Sequence, residues 1–221
     1  MQAEGTAVPR RFRNRHEAGA ELGELLVEER WSGAVAGGVL VLGLPRGGVP
    51  VAVAVAERME APVDILVVRK LGVPGREELA MGAIASGGSL VMNQGLIDEL
   101  GIPQSAISLV VTREMAELER REALYRMGRP DIDVTDKTVV VVDDGIATGA
   151  SMKVALEALR SRGPRLLCAA APVASVDACE RLGRVADNVV VVTQPDPFRA
   201  VGYWYDMFTQ TTDDEVIALL A

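Results

Sequence analysis

The sequence predicts an α/β protein built on one doubly wound, mostly parallel sheet, and three observations lead to that class. Apolar runs without polar alternation stand at Val39–Leu44, Val63–Val68, Val139–Val142, Leu166–Val173 and Asn188–Thr193, as expected of strands buried on both faces. Helical patterns separate these runs, so strand and helix alternate from Val39 to Thr193, which calls for right-handed parallel crossovers. A length of 221 residues with 49% hydrophobic content suits a single domain, residues 1–221, with a large core and a small appended part.

Composition excludes several other classes. The apolar runs are broken by Gly, Pro or charge before they reach membrane-spanning length, so no membrane association is expected. The start, MQAEGTAVPRRFRNR, has basic residues with no apolar segment behind them, unlike a signal peptide, and a cytoplasmic location is expected. Two cysteines, Cys168 in a strand and Cys179 in a helix, make no disulfide framework, and one histidine makes no His-rich metal site. A formal charge of −8 argues against nucleic acid as a partner and requires any anionic ligand to be held by local groups.

Taken in order, residues 1–10 are expected to fray, and a first helix runs from an Asn14 cap, with Glu17 placed for a capping box, to about Glu29. Its apolar face is Ala18, Leu22, Leu25 and Leu26. The strand Val39–Leu44 ends in Pro45-Arg46-Gly47-Gly48, before a helix that opens at Pro50. Gly47 and Gly48 would let backbone amides approach an anion, and Arg46 offers a charged fork matched to phosphate oxygens. The strand Val63–Val68 ends in Arg69-Lys70, and the heavily punctuated LGVPGREELAMGAIAS predicts a mobile hairpin or loop returning at Ser89–Met92. Helices follow over Gln94–Leu100, closed by Gly101, and from Pro103 to about Met127. The longer one has stabilising pair spacing at Glu117/Arg121 and Glu122/Arg126, and Arg120, Arg121, Arg126 and Arg129 could instead reach a ligand or a second subunit of a homo-oligomer. Ser175 caps a helix to Gly183, and Thr212 with Glu215 caps a last short one.

The chain is organised around Val139–Ser151, VVVVDDGIATGAS. Two carboxylates, Asp143 and Asp144, close the strand, and a small-residue turn from Gly145 leads into a helix. Such a turn aims several backbone N–H groups at one spot, with the helix dipole adding partial positive charge, which suits a phosphate. Carboxylates accept hydrogen bonds from a diol, so a ribose 5-phosphate meets both demands. The phosphate loop Gly-x-x-x-x-Gly-Lys-Ser/Thr is excluded, because no lysine stands at its required place.

This segment resembles the signature of the type I phosphoribosyltransferases. The resemblance implies that Asp143 and Asp144 bind the ribose hydroxyls of phosphoribosyl pyrophosphate (PRPP). It implies that Gly145, Ile146, Ala147, Thr148, Gly149, Ala150 and Ser151 bind the 5-phosphate. It also places Arg46, Gly47 and Gly48 in the pyrophosphate loop, which in the family often holds a non-proline cis peptide. Lys70, preferred to Arg69, would contact PRPP from a flexible segment that closes over the transition state. A hood formed by about 11–30 and 195–221, over a core of about 34–194, would bind the acceptor base. Five of the eight aromatic residues lie between Phe198 and Phe208, which makes Phe198, Tyr203 and Trp204 candidates for stacking on it. The competing expectation is that these rings pack the tail onto the first helix.

The stretches GLPRGGVPVA, VRKLGVPG, ELAMGAIA and QPDPFRAVGYWYD extend the similarity, over nearly the whole chain, to a group of bacterial phosphoribosyltransferases whose acceptor is unsettled. Members using hypoxanthine or guanine carry an acidic residue where this chain has Ala147, so a 6-oxopurine acceptor is disfavoured. The expected function is transfer of phosphoribose from PRPP to a nitrogenous base or amine, with pyrophosphate release. Mg2+ would be held mainly by substrate oxygens and water, with Asp143 or Asp144 as an indirect or single ligand. The alternative is a PRPP- or nucleotide-sensing regulatory protein without turnover.

Overall fold

The computed structural model describes residues 11–29, 38–131 and 133–221. The expected fraying of 1–10 lies outside them, as do the suggested limits at 30 and 34. Five strands, β1 (Val39–Gly43), β2 (Val63–Ile65), β6 (Thr138–Val142), β7 (Leu166–Val173) and β8 (Asn188–Thr193), form an all-parallel sheet in the order β2-β1-β6-β7-β8. The chain starts in β1, steps outward to β2, and returns to lay β6 on the other side of β1. The order therefore reverses between β1 and β6, and a crevice opens there at the carboxyl edge.

Alternation along the strands divides the core in two. Val39 and Val41 of β1 with Val140 and Val142 of β6 pack against Leu22 and Leu26 of α1 (Arg15–Glu28) and Val51 and Val55 of α2 (Gly48–Met59). Leu40, Leu42, Val139 and Val141 face Leu156 and Leu159 of α5 (Ala150–Arg160) and Leu182 of α6 (Val176–Leu182). Helices thus cover both faces, as the absence of polar alternation in these strands required.

The run Val63–Val68 is not one strand. β1 ends at Gly43, so β2 has no parallel partner beyond Ile65, and the chain turns to antiparallel pairing instead. The Val67 amide donates to Ser86 Oγ at 2.9 Å, and β3 (Val68–Val73) pairs with β4 (Arg76–Ala85), which pairs with β5 (Ser89–Met92). What the sequence suggested as a hairpin or loop is a three-stranded sheet, with Gly75 at φ +76° in its first turn. Its apolar residues Leu71, Met81 and Ile84 join Ile107, Val110 and Leu118 of α4 (Gln104–Arg126) and Ile97 of α3 (Gln94–Leu100) in a third core cluster. Val216 and Leu220 of α7 (Asp213–Leu220) complete it.

The α4 arginines serve the fold. Arg120 and Arg121 both bond Glu117 at 2.8 Å, while the buried Arg126 pairs with Asp64 at 2.5 Å and Asp131 at 3.0 Å, tying α4 to β2. Both cysteines are free thiols: Cys168 is buried in β7, and Cys179 is half-buried in α6. Among the described residues no helix is long and apolar enough to cross a membrane.

Helix caps follow the sequence closely. The Glu17 amide donates to Asn14 Oδ1 at 2.9 Å, although the Glu17 carboxylate takes the Arg13 amide at 2.7 Å, one residue beyond a capping box. Thr212 and Glu215 do form the reciprocal box. The α1–α2 contact uses glycines: a Cβ on Gly19 would lie 2.6 Å from Val51 O, and one on Gly23 would lie 2.7 Å from Arg58 Cβ. In an isolated helix Gly→Ala gains ~0.5–1 kcal/mol. Here overpacking, about 1–3 kcal/mol, outweighs it. Gly19→Ala should therefore lower the urea unfolding midpoint, and a raised midpoint would show that the two helices are not in contact.

Candidate functional site

The site is assembled where β1 and β6 end side by side. Leu44 N donates to Val142 O at 2.9 Å, carrying the ladder one step past the strands and fixing the loop Pro45–Gly48 against Asp143. The Pro45–Arg46 peptide is cis, as expected of the family's pyrophosphate loop. A Cβ on Gly48 would stand 2.6 Å from Val142 O and 2.9 Å from Asp143 Cα, and one on Gly47 would overlap the Asp144 carboxylate. Glycine is required at both positions by proximity. The α2 helix starts at Gly48, two residues earlier than the expected Pro50, so this loop is itself a helix N-terminus.

The second wall is the loop Gly145–Ser151. Ile146 N donates to Val173 O at 2.8 Å, Ser175 N donates to Ile146 O at 2.9 Å, and Ser175 Oγ donates to Ala147 O at 2.7 Å. The β7–α6 turn therefore holds the loop from behind. Arg181 adds a bond to Thr148 O at 3.2 Å. Gly149, at φ +74°, caps α5 in a conformation side chains disfavour. Loop residues 145–151, with Asp143 and Met152, line a cavity of about 190 Å³ at the amino end of α5, where unpaired helical N–H groups gather. The expected turn is present at this strand end, and the Ala150 amide donates within it to Thr148 Oγ1 at 3.4 Å.

The acidic pair sits between the walls. Asp143 Oδ1 accepts the Asp144 amide at 2.9 Å. Burial, and then the neighbouring Asp144 charge, push the Asp143 carboxyl well above the usual carboxylate range. Burial raises Asp144 as well, opposed by Arg15, whose Nε donates to Asp144 Oδ2 at 2.9 Å and whose Nη2 pairs with the same oxygen at 2.8 Å.

The other expected residues lie apart from this pair. Arg46 Nη1 is 3.7 Å from Asp213 Oδ1, a carboxylate that also accepts the Tyr125 hydroxyl at 2.6 Å. Burial and that bond push the Tyr125 hydroxyl up to about 12. Lys70 is in β3, opposite Ala83, with its ammonium 3.5 Å from Glu78. Cross-strand partners share a face. Ala83 lines a cavity of about 440 Å³ together with Ala150 and Lys153, so Lys70 is on the side of its sheet that faces α5 and the phosphate loop.

Of the three aromatic candidates, Trp204 is enclosed, 5% exposed, and packs with Phe12, Ala18, Val173 and Tyr205. It presents no face for stacking on an acceptor. Phe198 is half-buried against the same cluster, and Tyr203 lies under the Arg199 guanidinium at 4.6 Å. Trp204 and Phe198 thus fasten the tail to the first helix, the competing expectation, with a bridge between Phe12 and Tyr205, whereas Tyr203 stays exposed. A cavity of about 430 Å³ does open between α1, α2 and α7, lined by Arg15, Pro50, Met207, Thr209 and Leu219, and none of the three candidate rings lines it.

Sequence reasoning missed Arg15, Tyr205 and Phe208. Tyr205 donates its hydroxyl to Asp144 O at 2.6 Å and stacks on Phe208 at 5.0 Å, so the tail supports the acidic pair directly. A signal for Arg15 was available: a cation in the first turn of a helix opposes the dipole and needs another reason to be there.

An open parallel sheet with an acidic pair and a small-residue loop at its reversal point defines a doubly wound α/β protein. Residues 14–206 match the phosphoribosyl transferase domain family. The chain belongs to the type I phosphoribosyltransferases. It is 43% identical to TT1426 of Thermus thermophilus, a solved structure, with a TM-score of 0.84 over 95% of this chain and 97% of that one. A Mycobacterium tuberculosis protein, named provisionally a phosphoribosyl transferase, is 44% identical over 209 residues, 95% of this chain and 46% of its own. A Thermococcus kodakarensis ribose-phosphate pyrophosphokinase is 30% identical over 141 residues, 61% of this chain and 47% of its own. The chain spans about half the length of the curated relatives it matches.

Gly47→Ala should drive the Asp144 carboxylate off its seat. Ribose 5-phosphate binding, measured by calorimetry, is expected to weaken by roughly tenfold or more, the scale of one lost charge-assisted hydrogen bond. Unchanged binding would mean that the ligand does not use Asp144 as placed.

Proposed function

We propose that this protein transfers the phosphoribosyl group of PRPP to a nitrogen nucleophile and releases pyrophosphate. The observation that supports the proposal is the cavity at the sheet's reversal point lined by Asp143 and the loop Gly145–Ser151, with Asp144 next in the chain. The acids suit the sugar hydroxyls, and the loop suits the 5-phosphate. The ribose-phosphate chemistry in the name of the Thermococcus relative supports the same choice of sugar.

In the proposed reaction the bond between the ribose C1 and the pyrophosphate oxygen breaks, and its electron pair leaves with the pyrophosphate. The acceptor nitrogen bonds to C1 and gives its proton to water. Charge grows on the leaving group, and the Gly47 amide just before α2, with Arg46 after release from Asp213, supplies donors there, while the Gly48 amide stays bonded to Leu44 O at 3.0 Å. Lys70 approaches from the second sheet. The acids and the loop hold the ribose so that nucleophile and leaving group stand on opposite sides of C1.

The protein's part in metal binding is small. Among the described residues no three His, Cys, Asp or Glu side chains form a metal-holding group. The hard oxygens of Asp143 and Asp144 nevertheless suit Mg2+ bound mainly through substrate and water, as one direct or water-mediated ligand. The ion would neutralise charge on the pyrophosphate oxygens.

The acceptor's place is the cavity beside Arg15, whose volume of about 430 Å³ falls in the range of small-molecule sites. Its residues come from α1, the tail and, at Pro50, α2, so most of it is the hood's contribution. Ala147 supplies no acid to a 6-oxopurine ring, so a different nitrogen heterocycle or an amine is the proposed acceptor class.

Asp144→Asn should weaken PRPP binding and lower pyrophosphate release by tenfold or more, with the unfolding midpoint little changed. Pyrophosphate release measured with Mg2+ and PRPP over a panel of bases and amines tests the reaction itself. Tight PRPP binding with no release for any acceptor would replace the enzyme by a sensing protein. No PRPP binding would reject both.

A further inference from the structure

We infer that Arg15 is a positioning residue for the acidic pair: it holds one carboxylate oxygen of Asp144 from the α1 side and so aims the other at the ligand's hydroxyls. The inference rests on the proposed phosphoribosyl chemistry. Both guanidinium donors that reach Asp144, Nε at 2.9 Å and Nη2 at 2.8 Å, end on Oδ2. Among the described residues no hydrogen bond reaches Oδ1. A carboxylate offers about four acceptor directions on its two oxygens. Arg15 therefore need not leave when a hydroxyl binds, because its contacts use only one of the two oxygens.

The guanidinium is itself fixed on three sides. Nη1 donates to Thr209 O at 2.7 Å, the ring of Phe208 lies 4.0 Å from Cζ, and a Cβ on Gly47 would stand 3.4 Å from Nε. The Arg15 and Asp144 side chains are only 12% and 15% exposed, so the ion pair is screened little by solvent. One residue thereby joins the acidic pair, the pyrophosphate loop and the tail segment 208–209. Lysine could keep the charge but not the planar fork that sets direction. Placement of this cation in the first turn of α1, against the helix dipole, is explained by the site and not by helix stability.

The test compares ribose 5-phosphate, 2-deoxyribose 5-phosphate and inorganic phosphate by calorimetry on the full chain and on Arg15→Gln and Arg15→Lys. The unaltered protein is expected to prefer ribose 5-phosphate over its deoxy form. In Arg15→Gln, ribose 5-phosphate should weaken roughly ten- to hundredfold and the ribose preference should collapse, while inorganic phosphate stays within about twofold. Arg15→Lys should keep the phosphate affinity and recover only part of the preference. Full preference in Arg15→Gln overturns the inference and leaves the proposed function standing, as does equal weakening for all three ligands, which would mark a merely structural role. If Arg15→Gln does not fold, full preference in Arg15→Lys overturns the aiming role. No ribose preference in the unaltered protein overturns the proposed function itself.

Discussion

The structure turns on how closely two backbones approach at the carboxyl ends of β1 and β6. With a side chain at Gly48, the loop Pro45–Gly48 would run into Val142 O, and with one at Gly47 it would run into the Asp144 carboxylate. Glycine at both positions allows one ladder bond beyond the strands, from Leu44 to Val142, and so sets the loop and the acidic pair in register. The loop Gly145–Ser151 follows β6 in sequence, and the β7–α6 turn holds it in place through Ser175.

The formal charge of −8 is offset locally at the ends of β1 and β6. Helix N-termini at Gly48 and Ala150 present partial positive charge, and Arg15 offsets part of the buried acidic charge. Arg46 and Lys70 lie beyond this inner ring, each beside a carboxylate that a more strongly charged ligand could displace as a partner. Both of those ion pairs are long and at least partly exposed, and pairs of that kind contribute little. Their rearrangement is inexpensive.

The hood is a small aromatic core as well as a cover. Phe12, Trp204 and Tyr205 bind the tail to the segment before α1, and the Tyr205 hydroxyl then reaches back to Asp144 O. Residues at the two ends of the described chain thus converge on the same acidic residue, Arg15 from one end and Tyr205 from the other. Apolar packing in the hood and the geometry of the site are one construction.

Much of this was legible in the sequence, because it depends on local chemistry. Unalternating strands imply a covered parallel sheet, Asn14 and Thr212 announce helix starts, and a strand, two acids and a small turn fix a loop at a strand end. The splitting of Val63–Val68 was not legible: β2 ends where its partner β1 ends, a fact about a neighbour distant in sequence. Nor was the fate of Trp204, since a tryptophan in a loop has the same local sequence whether it is exposed or packed under a helix. Arg15 lies 129 positions from the carboxylate it holds. The sequence by itself determined the class of fold and the residues that face one another across neighbouring turns, whereas tertiary structure decided which distant side chains share a carboxylate, because that depends on which surfaces remain uncovered once the sheet and its helices have packed.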